Sequence, residues 1–150
     1  MNRAYITPKR IVTKYAGCKN NLIKDEHYLL ERGNGQSEMN RKRCCIMTST
    51  ETEKASLLLD FGSELHGGLK LVMGSSSRRE PSLVRIRFGE SVGEANSSTS
   101  NSEWKVGFST DDHAKRDIIM EIPRDGMIEI GNTGFRFVRL DLLQNNATIS

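Results

Sequence analysis

The sequence predicts an all-β protein, an antiparallel β-sandwich of the jelly-roll, galactose-binding-like kind with little helix. Apolar residues alternate with polar ones in several short segments, glycines and acidic turn residues separate these segments, and helical periodicity is nearly absent. Strands that follow one another with turns between them favour an antiparallel sandwich over a parallel sheet.

The chain of 150 residues is long enough for one domain with its own core, so we expect a single domain over residues 1–150. Residues 1–50 are expected to form an extended N-terminal segment packed on the sandwich. A turn or two of helix is predicted near residues 21–31 from the spacing of Leu22, Ile23, Leu29 and Leu30, and Gly33-Asn34-Gly35 is expected to end it. Residues 94–103 contain no large apolar side chain, so a mobile surface loop is expected there.

The strand pattern is clearest in residues 82–88. There Val84, Ile86 and Phe88 share one side while Arg85 and Arg87 share the other, as in a half-buried strand. The same alternation recurs at Leu57, Leu59 and Phe61, at Leu69, Leu71 and Met73, at Ile118, Met120 and Ile122, and at Ile128 and Ile130.

The last apolar run, residues 135–142, changes phase. Phe135 and Phe137 share one parity, whereas Val138, Leu140 and Leu142 share the other. One extra residue near Phe137 and Val138 would return both sets to the core, so a β-bulge is predicted there.

Composition excludes several classes of protein. Charged residues make up 27% of the chain, and no apolar run approaches the roughly 20 residues of a membrane-spanning helix. The N-terminus alternates basic and polar residues, so no signal peptide is expected in this chain. Net charge is +3, and the run Arg41-Lys42-Arg43 has no interleaved aromatic residue, so a solvated loop is favoured over a nucleic-acid site.

The three cysteines are interpreted as structural or incidental. Cys18, Cys44 and Cys45 are too few and too irregularly spaced for a disulfide framework or a tetrahedral metal site. Neighbouring cysteines pair only through a strained ring, so Cys44 and Cys45 are expected to be reduced. No metal or cofactor is expected.

Two glycine-containing segments are interpreted as turns. Residues 60–68 carry Asp60, Glu64 and His66 and are expected to form a loop between two strands, with Asp60 capping the turn. Residues 131–134 precede a strand rather than a helix, so a tight turn is predicted instead of a dinucleotide-binding loop.

The densest ionisable cluster lies at residues 109–117. Asp111 and Asp112 stand beside His113, a combination able to hold a hard cation, bond sugar hydroxyls or act in acid–base catalysis. The ligand spacing of a calcium loop is absent, and zinc would need further close ligands. The favoured interpretation is that Arg116 pairs with Asp111, Asp112 or Asp117 and fixes a loop.

Nucleophilic catalysis has little support, because the chain contains no Gly-x-Ser-x-Gly segment and no cysteine near a histidine in sequence. A glycosidase requires two carboxylates across a sugar-sized cleft. Glu90 with Asp111 or Asp112 is the pair that the sequence nominates, on a weak signal.

Four separated motifs carry a resemblance to a known family, and residues 5–12 are similar to its opening. The motifs are Leu-Asp-Phe-Gly at 59–62 with His-Gly-Gly at 66–68, Val-Arg-Ile-Arg-Phe-Gly-Glu-Ser at 84–91, Asp-His-Ala-x-Arg-Asp at 112–117 and Ile-Gly-Asn-Thr-Gly-Phe-Arg-Phe-Val-Arg at 130–139. Over about two-thirds of its length the chain resembles an N-terminal β-sandwich domain of bacterial α-L-rhamnosidase-like glycoside hydrolases, family 78 and relatives.

The resemblance implies a non-catalytic accessory module. In that family the general acid and base lie in a helical (α/α)₆ barrel of several hundred residues, so no catalytic residue carries over to this chain. The implied partner is carbohydrate or the catalytic domain, with no nucleic acid and no membrane, in the periplasm or outside the cell. The contact residues expected are Glu90, Trp104, Asp111, Asp112, His113 and Arg116.

Two alternatives stay open. Trp104, the single tryptophan, is either a sugar platform or a core residue, since its ring buries much apolar area. The chain is otherwise a stand-alone small glycoside hydrolase that uses Glu90 and Asp112.

Overall fold

The computed structural model describes residues 4–33, 43–97 and 116–150. These residues form two antiparallel β-sheets with one short α-helix and one 3-10 helix, which confirms the predicted all-β sandwich. Within these ranges, no helix has the length and apolar character needed to cross a membrane.

The main sheet has the strand order β1-β4-β7-β5-β6, and the small sheet has the order β2-β3-β8. The strands are β1 (Arg10–Tyr15), β2 (Ile23–Lys24), β3 (Ile46–Ser49), β4 (Ser56–Met73), β5 (Ser82–Gly89), β6 (Asp117–Ile122), β7 (Gly126–Leu142) and β8 (Ala147–Ile149). A 3-10 helix, Glu26–Leu30, lies between β2 and β3, and the helix α1, Val92–Asn96, follows β5. All neighbouring strands in both sheets pair antiparallel.

The N-terminal third contributes strands to both sheets. Its first strand, β1, lies at one edge of the main sheet, whereas β2 and β3 belong to the small sheet. The helix predicted at residues 21–31 is confined to Glu26–Leu30, because Ile23 and Lys24 pair with β3 instead.

The strands β4 and β7 are each longer than the sequence predicts. The turns predicted at residues 60–68 and 131–134 are wrong, because both segments lie inside strands and pair with each other: His66 faces Gly134 and Gly67 faces Thr133. The ladder shifts register twice in this region. Glycine here lets a long two-stranded ribbon bend, where the sequence pattern indicates that a strand ends.

The ribbon of β4 and β7 folds back on itself. A straight strand of the length of β4 would span about 60 Å, yet the residues that flank it bond to Leu142 and Ser150. These two are eight residues apart in the chain and therefore lie within about 29 Å of each other. At one end Gly74 N donates to Ser150 O at 2.6 Å; at the other, Leu142 N donates to Ala55 O at 2.9 Å. The two halves of the ribbon therefore enclose one core together with the small sheet.

Three phenylalanines fill the bend. The ring of Phe135 packs edge-on against Phe61, with centroids 5.5 Å apart, and against Phe88, with centroids 5.1 Å apart. Gly131 has φ +88°, and a Cβ placed on it would lie 2.9 Å from Phe88 Cζ. The bend therefore requires glycine at position 131, both for its backbone conformation and for the close approach of Phe88.

The bulge predicted at Phe137 and Val138 is wrong in position. Pairing with β4 runs unbroken through these two residues, and the register shift falls between Phe137 and Phe135, with the extra residues on β4. Phe135 and Val138 consequently both face the main core, while Phe137 packs on the outer face of the sheet. The phase change in the sequence is real, but its cause lies on the partner strand.

The helix α1 occupies the start of the predicted mobile loop, residues 94–103. Its first turn is capped reciprocally: Glu94 N donates to Ser91 Oγ at 3.2 Å, and Glu90 N donates to Glu94 Oε2 at 2.9 Å. Ala95 is fully buried in a cluster with Leu58 and Phe137. The cap and this small apolar contact offset the entropy lost when residues 94–97 are ordered. Residues 98–103, the rest of the predicted loop, lie outside the described residues.

Candidate functional site

The predicted contact residues divide into two groups. Trp104, Asp111, Asp112 and His113 lie outside the described residues. Glu90 and Arg116 are described, and the fold brings them together: Arg116 Nη2 donates to Glu90 Oε1 at 2.8 Å. The sequence predicts both residues as contact positions but does not predict that they pair.

We name the edge cluster as Glu90, Glu94, Arg116 and Thr133. The guanidinium of Arg116 lies between two carboxylates, with Nη1 3.5 Å from Glu94 Oε2, and its Nε donates to Thr133 Oγ1 at 3.2 Å. The side chains of Glu90 and Arg116 are 45% and 31% exposed. The cluster therefore presents hydrogen-bond acceptors and donors to solvent, with one excess negative charge.

Chain topology explains how the edge cluster forms. Glu90 directly follows β5, Glu94 lies on α1, Arg116 directly precedes β6, and Thr133 lies at the bend of β7. Of the three predicted partners of Arg116, Asp111 and Asp112 lie outside the described residues. The third, Asp117, instead accepts from Arg85 Nε at 2.7 Å on the outer face. Exposed ion pairs contribute little stability, so the fold does not depend on the edge cluster.

Asp60 is buried between two arginines rather than exposed in a loop. Its side chain is 2% exposed and accepts from Arg136 Nε at 2.9 Å, Arg136 Nη2 at 3.1 Å and Arg10 Nε at 2.9 Å. Gly62 N also donates to it, at 2.8 Å, so part of the predicted capping role is present. We name Arg10 and Arg136, together with the Asp60 carboxylate between them, the outer arginine pair. These three side chains join β1, β4 and β7.

The outer arginine pair makes stability dependent on pH. Hydrogen bonds from Arg136 hold the pKa of Asp60 well below its usual range, against the opposing effect of burial, and Gly62 N and Arg10 add to the lowering. The folded chain therefore binds fewer protons than the unfolded chain, so stability present above the unfolded pKa of about 3.9 is lost as pH falls below it. We expect the urea midpoint to drop between about pH 5 and pH 2.

The variant Asp60→Asn tests this pH dependence. It removes the titrating group but keeps a side chain of similar shape, so its urea midpoint should change less steeply with pH than that of the wild type. Parallel midpoint curves for the two proteins would show that Asp60 does not carry the effect.

A second buried carboxylate, Asp141, lies on the same outer face. It accepts from Ser56 Oγ at 2.6 Å, from Arg139 Nε at 2.9 Å and from Arg87 Nη2 at 2.8 Å. Burial raises the pKa of Asp141, but the hydrogen bonds from Ser56, Arg139 and Arg87 outweigh it, so the pKa is lowered. Arg87 also donates to the carbonyl of Asn96 at 3.1 Å, which fixes the end of α1 on the sheet.

A cleft of about 1730 Å³ opens on the inner side of the main sheet. Apolar residues of β4 and β7 line it, together with residues 4–8. Among the described residues that line it, the acidic ones are Glu31 and Glu129. Tyr5 Oη donates to Glu129 Oε1 at 2.6 Å, and Arg43 Nη2 donates to Glu31 Oε2 at 2.8 Å. Lys70 Nζ lies 4.6 Å from the centre of the Tyr5 ring.

The cysteines are free thiols. Burial raises the pKa of Cys45 to about 12, and a hydrogen bond with Glu53 raises that of the exposed Cys18. Because the thiolate is the reactive form, neither thiol is activated as a nucleophile. In the part of the chain that the structure describes, no group of three or more His, Cys, Asp or Glu side chains is arranged to hold a metal ion.

Comparison with known proteins gives a similarity in fold but none in sequence family. No protein-family model and no curated protein sequence matches this chain. Among solved structures, a rhamnosidase from Klebsiella oxytoca with rhamnose bound is similar in fold, with a TM-score of 0.53 and 18% sequence identity. The match covers 69% of this chain and 20% of that chain, so this chain corresponds in fold to about a fifth of the rhamnosidase.

Proposed function

We propose that the chain is a non-catalytic accessory β-sandwich of an α-L-rhamnosidase-like glycoside hydrolase. The observation that carries the proposal is the fold similarity to a part of a rhamnosidase that makes up 20% of that enzyme's chain. The rest of such an enzyme provides room for a catalytic domain. In such an enzyme, a module of this size packs against the catalytic domain or binds carbohydrate near the catalytic domain.

The state of the described carboxylates supports a non-catalytic role. In the cleft, Glu31 and Glu129 each accept a hydrogen bond from a described side chain. At the edge, Glu90 and Glu94 share the guanidinium of Arg116. A glycosidase needs two carboxyl groups that face each other across the sugar. In the described residues, each of these four carboxylates instead contacts a neighbouring side chain of the chain itself.

The edge cluster is the proposed contact surface for glycan. Carboxylates accept hydrogen bonds from sugar hydroxyls, while the guanidinium and the threonine hydroxyl donate or accept in turn. Thr133 is 9% exposed and fixed by Arg116, so part of the cluster is already ordered before a ligand arrives. Trp104 lies outside the described residues and stays a predicted sugar platform or core residue.

The purified chain should not hydrolyse p-nitrophenyl α-L-rhamnopyranoside. Release of nitrophenol should match that of the variant Glu90→Gln and of buffer alone, because the general acid and base are expected in a separate domain. L-rhamnose is then titrated into each protein, and amide NMR shifts are recorded. The amide resonances of the edge cluster should shift in the wild type and not in Glu90→Gln.

Two results would contradict the proposed function. The first is turnover by the wild type that disappears in Glu90→Gln, which would favour the stand-alone hydrolase. The second comes from reading the coding region on both sides of this chain. We expect the same reading frame to encode a large helical domain next to this chain. A reading frame that encodes an unrelated domain there would count against the proposal.

A further inference from the structure

The outer arginine pair carries more positive charge than its carboxylate neutralises. Two guanidinium groups share the single carboxylate of Asp60, which leaves one excess positive charge. The Asp60 side chain is 2% exposed, whereas those of Arg10 and Arg136 are 64% and 38% exposed. The buried carboxylate therefore acts as an anchor, and the excess charge faces solvent.

Arg136 is held in a fixed position by two hydrogen bonds and a ring, and Arg10 is anchored by one hydrogen bond. Arg136 uses Nε and Nη2 on Asp60 and lies over the ring of Phe137, with Cζ 5.1 Å from the ring centre. Arg10 Nε and Arg136 Nη2 both contact the same oxygen, Asp60 Oδ2, at 2.9 and 3.1 Å. The two groups are therefore neighbours, and less side-chain entropy is lost when an anion binds them.

Donors remain unused at this site. Arg10 Nη1 and Nη2 and Arg136 Nη1 make no hydrogen bond to any residue in the ranges that the structure describes. A carboxylate has two oxygens that match such paired N–H groups. Glu64 lies in the adjacent irregular part of β4 and forms no ion pair with a described residue.

We propose that the outer arginine pair is a docking site for a carboxylate on an acidic protein surface. This inference rests on the proposed function, which gives the module a neighbouring domain to pack against. The ring beside the pair, Phe137, is 6% exposed and lies under Arg136, so it offers no stacking platform for a sugar.

The test titrates the full chain with a blocked hexapeptide of alternating glutamate and alanine, at low ionic strength, with amide NMR shifts as the readout. Shifts should concentrate at residues 9–11, 60–62 and 135–137. The variant Arg10→Gln should weaken binding about threefold, the range of an exposed ion pair. Arg10→Gln keeps the two hydrogen bonds from Arg136 to Asp60, so this variant should fold. Amide resonances that are unchanged away from position 10 would verify that it does.

The matched control is Arg124→Gln, which removes an exposed arginine that pairs with Asp125 at a turn remote in sequence. It should leave peptide binding unchanged. Equal weakening by both variants, shifts spread over other surfaces, or no binding would overturn the proposal. Tighter binding of a galacturonate trimer at the same residues would overturn it in favour of an acidic glycan. None of these results depends on the hydrolysis assay, so the two proposals fail separately.

Discussion

Replacing Asp141 with asparagine should lower the free energy of unfolding by about 3 kcal/mol, as expected when one partner of a buried ion pair is removed. Arg87 is 6% exposed, and Asp141 is the acidic group that compensates its charge in the described structure. The amide accepts hydrogen bonds but supplies no charge, and its NH₂ group faces donors. Urea unfolding followed by circular dichroism at pH 7 measures the change.

The matched control for Asp141→Asn is Glu90→Gln, because it makes the same carboxylate-to-amide change in an exposed ion pair. Its effect should stay within about 0.5 kcal/mol, the range of surface pairs. The contrast tests burial directly, since both acids contact an arginine at 2.8 Å. Similar losses in both variants would show that burial of Arg87 does not set the cost.

Alternation in the sequence predicts the strands well where one face is buried and the other is polar. Val84, Ile86 and Phe88 are all buried in the main core, as predicted. Alternate residues of a strand lie on the same face of the sheet, so apolar residues at every second position define the buried face. Strand ends are predicted poorly at the bend. Glycine and asparagine mark turns and strand bends alike, so local sequence does not separate a tight turn at 131–134 from a bulged strand.

The candidate site is predictable in part. Glu90 and Arg116 stand out in the sequence as ionisable residues that packing does not require, yet their pairing depends on β5, β6 and β7 meeting at one edge. Asp141 is not among the predicted site residues, although it stands between two leucines in a strand. A charged residue at alternate positions of a central strand implies partners on the neighbouring strands, and Arg87 and Asp141 illustrate this.

Replacing Gly131 with alanine should cost about 3 kcal/mol, the sum of a left-handed backbone conformation and an overpacked contact. Gly131 has φ +88°, and the added Cβ would lie 2.9 Å from Phe88 Cζ and 3.1 Å from Phe88 Cε2. Phe88 is 2% exposed and packs on Phe135, so its ring has little room to move away. Urea unfolding measures the loss.

Gly67→Ala provides the control, because Gly67 lies in the same bend with nothing within 4 Å of a built Cβ. Its effect should remain within about 0.5 kcal/mol. Adding Phe88→Leu to Gly131→Ala separates the two costs: the smaller side chain should relieve the steric part and leave the backbone part. If the double variant is as unstable as the two single losses combined, the contact with Phe88 does not contribute, and the backbone conformation alone determines why position 131 needs glycine.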